Sequence, residues 1–138
     1  MHADSDVAAE TGDTDVVVHA DRRRTLGAFG EAAVAAWYRQ RGATIVDRNW
    51  RVREGELDLV VFQRGRLSFV EVKTRRSTRF GSPVEAITPA KAARLRRLVG
   101  LWLEHHPRSR RRAIELVVAS VTIDADGRPN IAVVPIDM

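Results

Sequence analysis

The chain of 138 residues contains no cysteine. This absence excludes disulfide bonds, thiolate metal ligands and a cysteine nucleophile, and it is typical of the reducing cytoplasm, where we expect this protein to act. The sequence also lacks any apolar run approaching the ~20 residues that span a bilayer. Its acidic N-terminus has no basic segment followed by an apolar one, as a secretory signal would. We therefore expect no membrane partner.

Lysine is scarce as well, with two residues against 21 arginines. The acidic residues are unevenly spread, because residues 1–21 carry six of the 18 and contain no Lys or Arg. Residues 22–138 then hold 23 basic and 12 acidic side chains, a formal charge of about +11. Such a charge attracts polyanions, of which the phosphate backbone of a nucleic acid is the commonest in a cell. A solvated, arginine-rich surface is the alternative interpretation.

The N-terminal residues have an acidic composition without clear periodicity. We predict a disordered acidic tail over 1–24 and one folded domain over 25–138. Thr25 is suited to cap a helix over about 26–41, whose apolar residues recur at helical spacing before Gly42.

The rest of the domain alternates between strand and helix patterns. After the first helix we predict strands over 43–52, 56–62 and 67–73, a helix from Thr88-Pro89 to about residue 105, and strands over 113–123 and 131–136. The order α-β-β-β-α-β-β predicts an α/β fold in which helices flank a mixed sheet.

Charged side chains interrupt the two central strands, which are otherwise mostly apolar. Glu71 and Lys73 lie two residues apart, so they share one face of their strand. A hairpin makes the strand that carries Asp58 their neighbour, and one face of the sheet can thus gather Asp58, Glu71 and Lys73. Glu56, two residues before Asp58, is a candidate to support the ligands or to face the substrate.

This set of side chains suits hydrolysis at a phosphate. Neighbouring carboxylates raise each other's pKa unless a cation lies between them, and Mg²⁺ (or Mn²⁺) favours oxygen ligands. A lysine beside them can orient the attacking water or stabilise charge on the phosphate. A solvated surface pair is the alternative, but an Asp followed across a hairpin by Glu-x-Lys is much rarer than Glu-x-Lys alone.

Four motifs carry a resemblance to a known family. They are Gly30-Glu31, Asn49-x-Arg51, the run Gly-Glu-Leu-Asp-Leu from Gly55, and the run Phe-Val-Glu-Val-Lys-Thr-Arg from Phe69. With these motifs the chain resembles the YraN-like family of endonuclease-like bacterial proteins over about residues 25–138. That family is similar to archaeal Holliday-junction resolvases and belongs to the PD-(D/E)xK nuclease superfamily, so the resemblance implies a restriction-endonuclease-like fold.

The resemblance also implies roles for individual residues. Asp58 and Glu71 match the metal-binding acids of the family, and Lys73 matches its catalytic lysine. Glu31 matches an acid that resolvase-type relatives place near the metal, although it could instead complement the dipole of its own helix.

Other positions are less determined by the resemblance. Leu57 stands where the superfamily often has proline. Glu115 lies in a late strand where relatives often have aspartate, and a structural partner for an arginine is an equal alternative. Resolvases of similar fold act as dimers, which makes a homodimer one option for this chain.

Arginines near the proposed centre are candidates to contact phosphates of the substrate. Those that flank the two active strands are Arg51, Arg53, Arg75, Arg76 and Arg79. Trp50 could stack on a base or pack in the core.

Taken together, the sequence predicts a metal-dependent endonuclease that hydrolyses phosphodiester bonds in DNA, with branched or structured DNA as a candidate substrate. The alternative is a non-catalytic nucleic-acid-binding protein that keeps the nuclease fold. The intact Asp-Glu-Lys set favours the enzyme, because holding buried acids together has a cost in free energy.

Overall fold

A computed structural model describes residues 13–76, 87–109 and 112–137, with side chains from residue 24 onward. In chain order the elements are α1 (Asp13–Gln40), β1 (Thr44–Val52), β2 (Gly55–Gln63), β3 (Arg66–Arg75), α2 (Pro89–His105), a 3-10 turn (Pro107–Ser109), β4 (Ala113–Ile123) and β5 (Pro129–Ile136). This order confirms the predicted α/β fold. No helix in the described parts of the chain combines the length and apolarity needed to cross a membrane.

The five strands form one mixed sheet in the order β1-β2-β3-β4-β5. Three neighbouring pairs are antiparallel, and β3 and β4 are parallel. A parallel pair needs a crossover connection, and α2 lies in the segment between β3 and β4. The sheet is therefore a three-stranded meander joined through a helical crossover to a final hairpin.

One face of the sheet packs against α1. The buried residues Val34 and Tyr38 of the helix share a core with Leu59 and Val61 of β2 and with Val117 of β4. Removing side chains of this size from water contributes roughly 1.5–3 kcal/mol each.

The other face packs against α2, whose buried Leu98 and Trp102 share a second core with Val60 of β2 and Phe69 of β3. The indole Nε1–H of Trp102 donates to Asp47 Oδ2 at 2.9 Å, so the largest buried side chain keeps its polar atom satisfied. Successive side chains of a strand point to opposite faces, and Val60 and Phe69 therefore mark the α2 side of β2 and β3.

The start of α2 follows from its sequence. Thr88 caps the helix, its hydroxyl accepting from the Lys91 backbone N–H at 3.1 Å, and Pro89 occupies the first turn, where no N–H is needed. These features confirm the predicted start of the second helix.

The structure differs from the sequence-based expectation at the N-terminus, since α1 begins at Asp13 and residues 13–24 are helical rather than disordered. The sequence has no Pro or Gly between Asp13 and Leu26, and it places Asp13 and Asp15 ahead of three arginines at 22–24. That order of charges complements the helix dipole. Residues 1–12 lie outside the described residues, so a disordered tail there stays a prediction.

Candidate metal centre

The ends of β2 and β3 bring the predicted site residues together. Val60 pairs with Phe69 and Leu59 with Val70, and the recorded pairing of the two strands ends there. Asp58 and Glu71 are the next residues outward, two positions from Val60 and Phe69, so they lie on the α2 side of the sheet.

A cavity of about 340 Å³ opens between these strand ends and α2. Its sheet side is lined by Gly55, Glu56, Asp58, Glu71 and Lys73, and its helix side by Lys91, Arg94, Leu95 and Leu98. The structure thus places the three predicted catalytic residues in one cavity that α2 completes.

Short contacts fix the two carboxylates. The Val72 backbone N–H donates to Asp58 Oδ2 at 2.8 Å, which ties the end of β2 to β3 where their regular pairing stops. A hydrogen bond also joins the carboxyl groups of Asp58 and Glu71. On the other side of Glu71, Lys73 Nζ lies 3.3 Å from Oε2.

Crowding of negative charge perturbs the acid. Burial, followed by the nearby Glu71 carboxylate and to a lesser extent Glu31, raises the pKa of Asp58 to about 8, against the opposing effect of the Val72 N–H. An aspartate with this pKa holds a proton at neutral pH. The protein alone therefore does not compensate the second negative charge of the pair.

The donor chemistry of this pair fits a divalent cation. Two adjacent carboxyl groups offer hard oxygen ligands, and Mg²⁺ is commonly held by one or two carboxylates together with waters and substrate phosphates. Among the residues that the structure describes, however, no three acidic or histidine side chains gather as a metal-binding group. The three-carboxylate set of Asp58, Glu71 and Glu31 thus stays a prediction.

Glu31 projects from α1 toward a neighbouring polar group. Burial and the Glu56 carboxylate raise the pKa of Glu31, with Arg48 acting in the opposite direction. With the Asn49 amide oriented by its surroundings, its nitrogen donates to Glu31 Oε1 at 3.0 Å and to Glu56 Oε2 at 3.2 Å. Glu31 therefore meets Glu56 through Asn49, beside the Asp58–Glu71 pair.

Asn49 is a residue to which sequence reasoning gave no role. It has a φ of 51° and lies between Arg48, which pairs with Leu59, and Trp50, which pairs with Leu57. Its register position is therefore opposite Asp58. Asparagine is among the few residues that adopt this left-handed conformation readily. The Asn49-x-Arg51 motif was the available signal, but only the backbone conformation shows how the amide reaches both acids.

The arginines predicted to bind nucleic acid are placed differently from one another. Arg51 is exposed and lies 3.4 Å from Glu56, whereas Arg53 is exposed in the turn after β1. Arg75 is half-buried at the end of β3, and Arg76 lines a separate cavity beside Phe29. Arg79 lies outside the described residues. A role in nucleic-acid binding stays a prediction for all five.

Glu115 belongs to a different part of the sheet. It accepts from the Ser68 hydroxyl at 2.6 Å, lies 3.4 Å from Arg66 and lines a separate cavity with Tyr38. Burial, with the Glu115 carboxylate as a second cause, raises the pKa of Tyr38 to about 12. Of the two alternatives for Glu115, the structure favours the arginine partner.

Trp50 is half-buried and packs against the α2 core, and its ring meets His105 edge-on at 5.6 Å between centroids. The structure therefore favours core packing for this tryptophan.

Comparison with known proteins assigns the chain to a family. The model of "Uncharacterised protein family UPF0102" matches residues 30–124. A UPF0102 protein of Clavibacter michiganensis is 47% identical over 113 residues, which cover 82% of this chain and 95% of that protein. A UPF0102 protein of Kineococcus radiotolerans is 42% identical over 111 residues, covering 80% and 91%.

A third similar protein, the UPF0102 protein of Frankia alni, is 56% identical over 82 residues, covering 59% of this chain and 68% of its own. The matched region contains every predicted catalytic residue and both helices that enclose the cavity. These matches confirm the YraN-like resemblance drawn from the sequence motifs, and the chain belongs to the UPF0102 family.

Proposed function

We propose that this protein is a metal-dependent endonuclease that hydrolyses phosphodiester bonds in DNA. The observation that carries the proposal is the meeting of the Asp58 and Glu71 carboxyl groups beside Lys73 in an open cavity. An acid pair with an uncompensated charge and an adjacent ammonium group is the arrangement that metal-assisted phosphoryl hydrolysis requires.

Each residue has a role in this proposal. Asp58 and Glu71 would hold Mg²⁺ or Mn²⁺, which when bound polarises a phosphoryl oxygen and lowers the pKa of a water ligand. Lys73, whose Nζ lies 3.3 Å from Glu71, orients the attacking water or stabilises charge that develops on the phosphate. Glu31 is a further candidate ligand, and Glu56 supports it through Asn49.

The wider setting is part of the same proposal. The basic composition of residues 22–138 favours a nucleic-acid partner, and we propose branched or structured DNA as the substrate class. A homodimer would match the symmetry of a four-way junction. The lack of cysteine supports action in the cytoplasm.

A second candidate is a nucleic-acid-binding protein that keeps the fold but does not cut. Such a protein has no need of a buried acid whose pKa is raised to about 8 by burial and a neighbouring carboxylate, because the strain on Asp58 lowers the stability of the ionised fold. The cavity therefore favours the enzyme.

The test is a cleavage assay with the purified full chain. Labelled linear duplex, four-way junction, flap and single-stranded DNA, with RNA counterparts, are incubated with Mg²⁺, Mn²⁺ or chelator. We expect cleavage of at least one DNA substrate only with metal, and a loss of roughly 10²-fold or more in Lys73→Ala.

Glu115→Gln provides a matched control for Glu71→Gln. Both remove one strand carboxylate, but Glu115 lines the cavity with Tyr38 instead of the candidate metal centre. We expect Glu115→Gln to cut at the wild-type rate and Glu71→Gln not to cut. Absence of cleavage across the panel, or full activity in Lys73→Ala, would exclude the nuclease.

A further inference from the structure

The wall of the cavity that faces the carboxylates is formed by α2 and carries two basic side chains, Lys91 and Arg94. Within the described residues, neither the Lys91 ammonium nor the Arg94 guanidinium has a hydrogen bond or an ion pair. Arg96 on the same helix, by contrast, donates to the Asp137 carbonyl at 3.2 Å. The cavity thus presents two basic groups that the protein does not use internally.

The spacing of these residues explains why both face the cavity. Lys91, Arg94, Leu95 and Leu98 fall at the i, i+3, i+4 and i+7 positions of one helix face. Leu95 and Leu98 are buried in the α2 core, so the apolar part of this face fixes the direction of the basic part.

A glycine allows this helix face to come close to the acids. A Cβ built on Gly55, the first residue of β2, would lie 3.1 Å from Leu98 Cδ1. Gly55 also has a φ of 151°, which L side chains rarely adopt. The helix is thereby held directly over the strand that leads into Glu56 and Asp58.

The charges that line the cavity show what the basic wall lacks. Lys73 lies 3.3 Å from Glu71, and Glu56 lies 3.4 Å from Arg51, so these charges already have partners. A cation held by Asp58 and Glu71 would neutralise the pair and leave Lys91 and Arg94 as net positive charge. Such a site attracts an anion placed between the helix and the cation.

We propose that Lys91 and Arg94 form a phosphate-binding subsite that holds a nucleic-acid backbone phosphate against the Asp58–Glu71 pair. This inference rests on the proposed function and deepens it by naming the side chains that position the substrate. The Arg94 guanidinium offers two parallel N–H donors to phosphate oxygens, and Lys91 contributes a point charge. Both contacts bind the backbone and read no base.

The experiment measures binding apart from cleavage. The full-length chain, with Ca²⁺ in place of Mg²⁺, is titrated against fluorescently labelled duplex and four-way-junction DNA over a series of KCl concentrations. The cavity variant is Lys91→Gln/Arg94→Gln. The control, Arg97→Gln/Arg108→Gln, removes the same charge from exposed positions that do not line the cavity.

We expect the cavity variant to bind about tenfold or more weakly at low salt. Each lost phosphate contact lowers the slope of log affinity against log salt by ~0.9, so the slope should fall by roughly 1.8. The control should keep a slope near that of the wild type. The single variants Lys91→Gln and Arg94→Gln should each lose about half as much, which keeps the test available should the double variant not fold.

The outcomes separate this inference from the nuclease. A cavity variant that binds like the wild type, or a control that loses as much as the cavity variant, overturns the subsite even if the wild type cuts DNA. Binding that depends on Lys91 and Arg94 in a protein that cuts nothing supports the subsite and rejects hydrolysis. A wild-type chain that binds no nucleic acid at low salt overturns both.

Discussion

The backbone N–H of Val72 lies 2.8 Å from Oδ2 of Asp58, so the strand that carries Glu71 and Lys73 also holds the aspartate of the neighbouring strand. The bond forms where the recorded pairing of β2 and β3 has ended, beyond Leu59 and Val70. The carboxylate thus takes the place of a backbone partner at the end of the hairpin. The candidate site is therefore part of the architecture that closes the two strands.

The perturbed acid makes the stability of the metal-free protein depend on pH. The pKa of Asp58 is about 8 in the folded protein, against an ordinary value of 3.8, so the folded state keeps a proton that the unfolded state has lost. The contribution of this group is fully present below about pH 4 and is lost as the pH rises to about 8. Urea unfolding with chelator at a series of pH values should show this decline.

Asp58→Asn should remove that part of the pH dependence, because an amide does not titrate. At about pH 8 the variant should be more stable than the metal-free wild type, on the order of 1–3 kcal/mol, which corresponds to the removed charge repulsion. Asp126→Asn, in the exposed turn before β5, serves as the control and should keep the wild-type profile. Parallel profiles for Asp58→Asn and the wild type would contradict the charge crowding described here.

Divalent metal should stabilise the protein through the same pair. A ligand present at a hundredfold excess over its dissociation constant adds about 2.7 kcal/mol to the unfolding free energy. We expect Mg²⁺ or Mn²⁺ to raise the Tm of the wild type by several degrees at about pH 8, and to raise it little in Glu71→Gln. The Glu115→Gln variant should respond as the wild type does. An equal response in all three proteins would place the metal elsewhere.

The sequence was sufficient to predict the order of the elements and the shared face of Asp58, Glu71 and Lys73. Both follow from periodicities that are local in the chain, with two residues per repeat in a strand and 3.6 in a helix. The hairpin between β2 and β3 then converts sequence proximity into spatial proximity.

The remaining features of the site depend on contacts between distant segments. Lys91 and Arg94 reach the cavity because the crossover helix packs across the strand ends, which no local pattern specifies. The bridging role of Asn49 requires a backbone conformation that a motif does not show. The start of α1 at Asp13 was missed because an acidic composition outweighed the absence of helix-breaking residues.

The contact between α1 and β3 provides a further prediction. A Cβ on Gly30 would lie 1.8 Å from Thr74 Oγ1, so Gly30→Ala must push α1 away from the residue that follows Lys73. We expect a loss of about 1–3 kcal/mol in unfolding free energy together with reduced activity. Gly27→Ala, on the same helix with nothing within 4 Å, should instead stabilise the protein by up to about 1 kcal/mol.

A second substitution identifies the cause of that loss. Thr74 Oγ1 is buried and has no hydrogen-bond partner, so Thr74→Ala alone should cost little. In the Gly30→Ala background it should restore part of the stability, because the remaining Thr74 Cβ would still lie 2.9 Å away. Additive effects in this double-mutant cycle would show that the two positions do not contact each other.

Asn49 should reveal the value of its amide when backbone and side chain are tested separately. Asn49→Gly permits the φ of 51° and removes the amide, whereas Asn49→Ala removes the amide and also strains the backbone. The alanine variant should be less stable than the glycine variant by about 1 kcal/mol in urea unfolding. Both should lose the donor that joins Glu31 to Glu56, and with it a similar fraction of cleavage activity. If Asn49→Gly cuts at the wild-type rate, the amide does not position the acids, and the conformation of β1 is the only contribution of this residue.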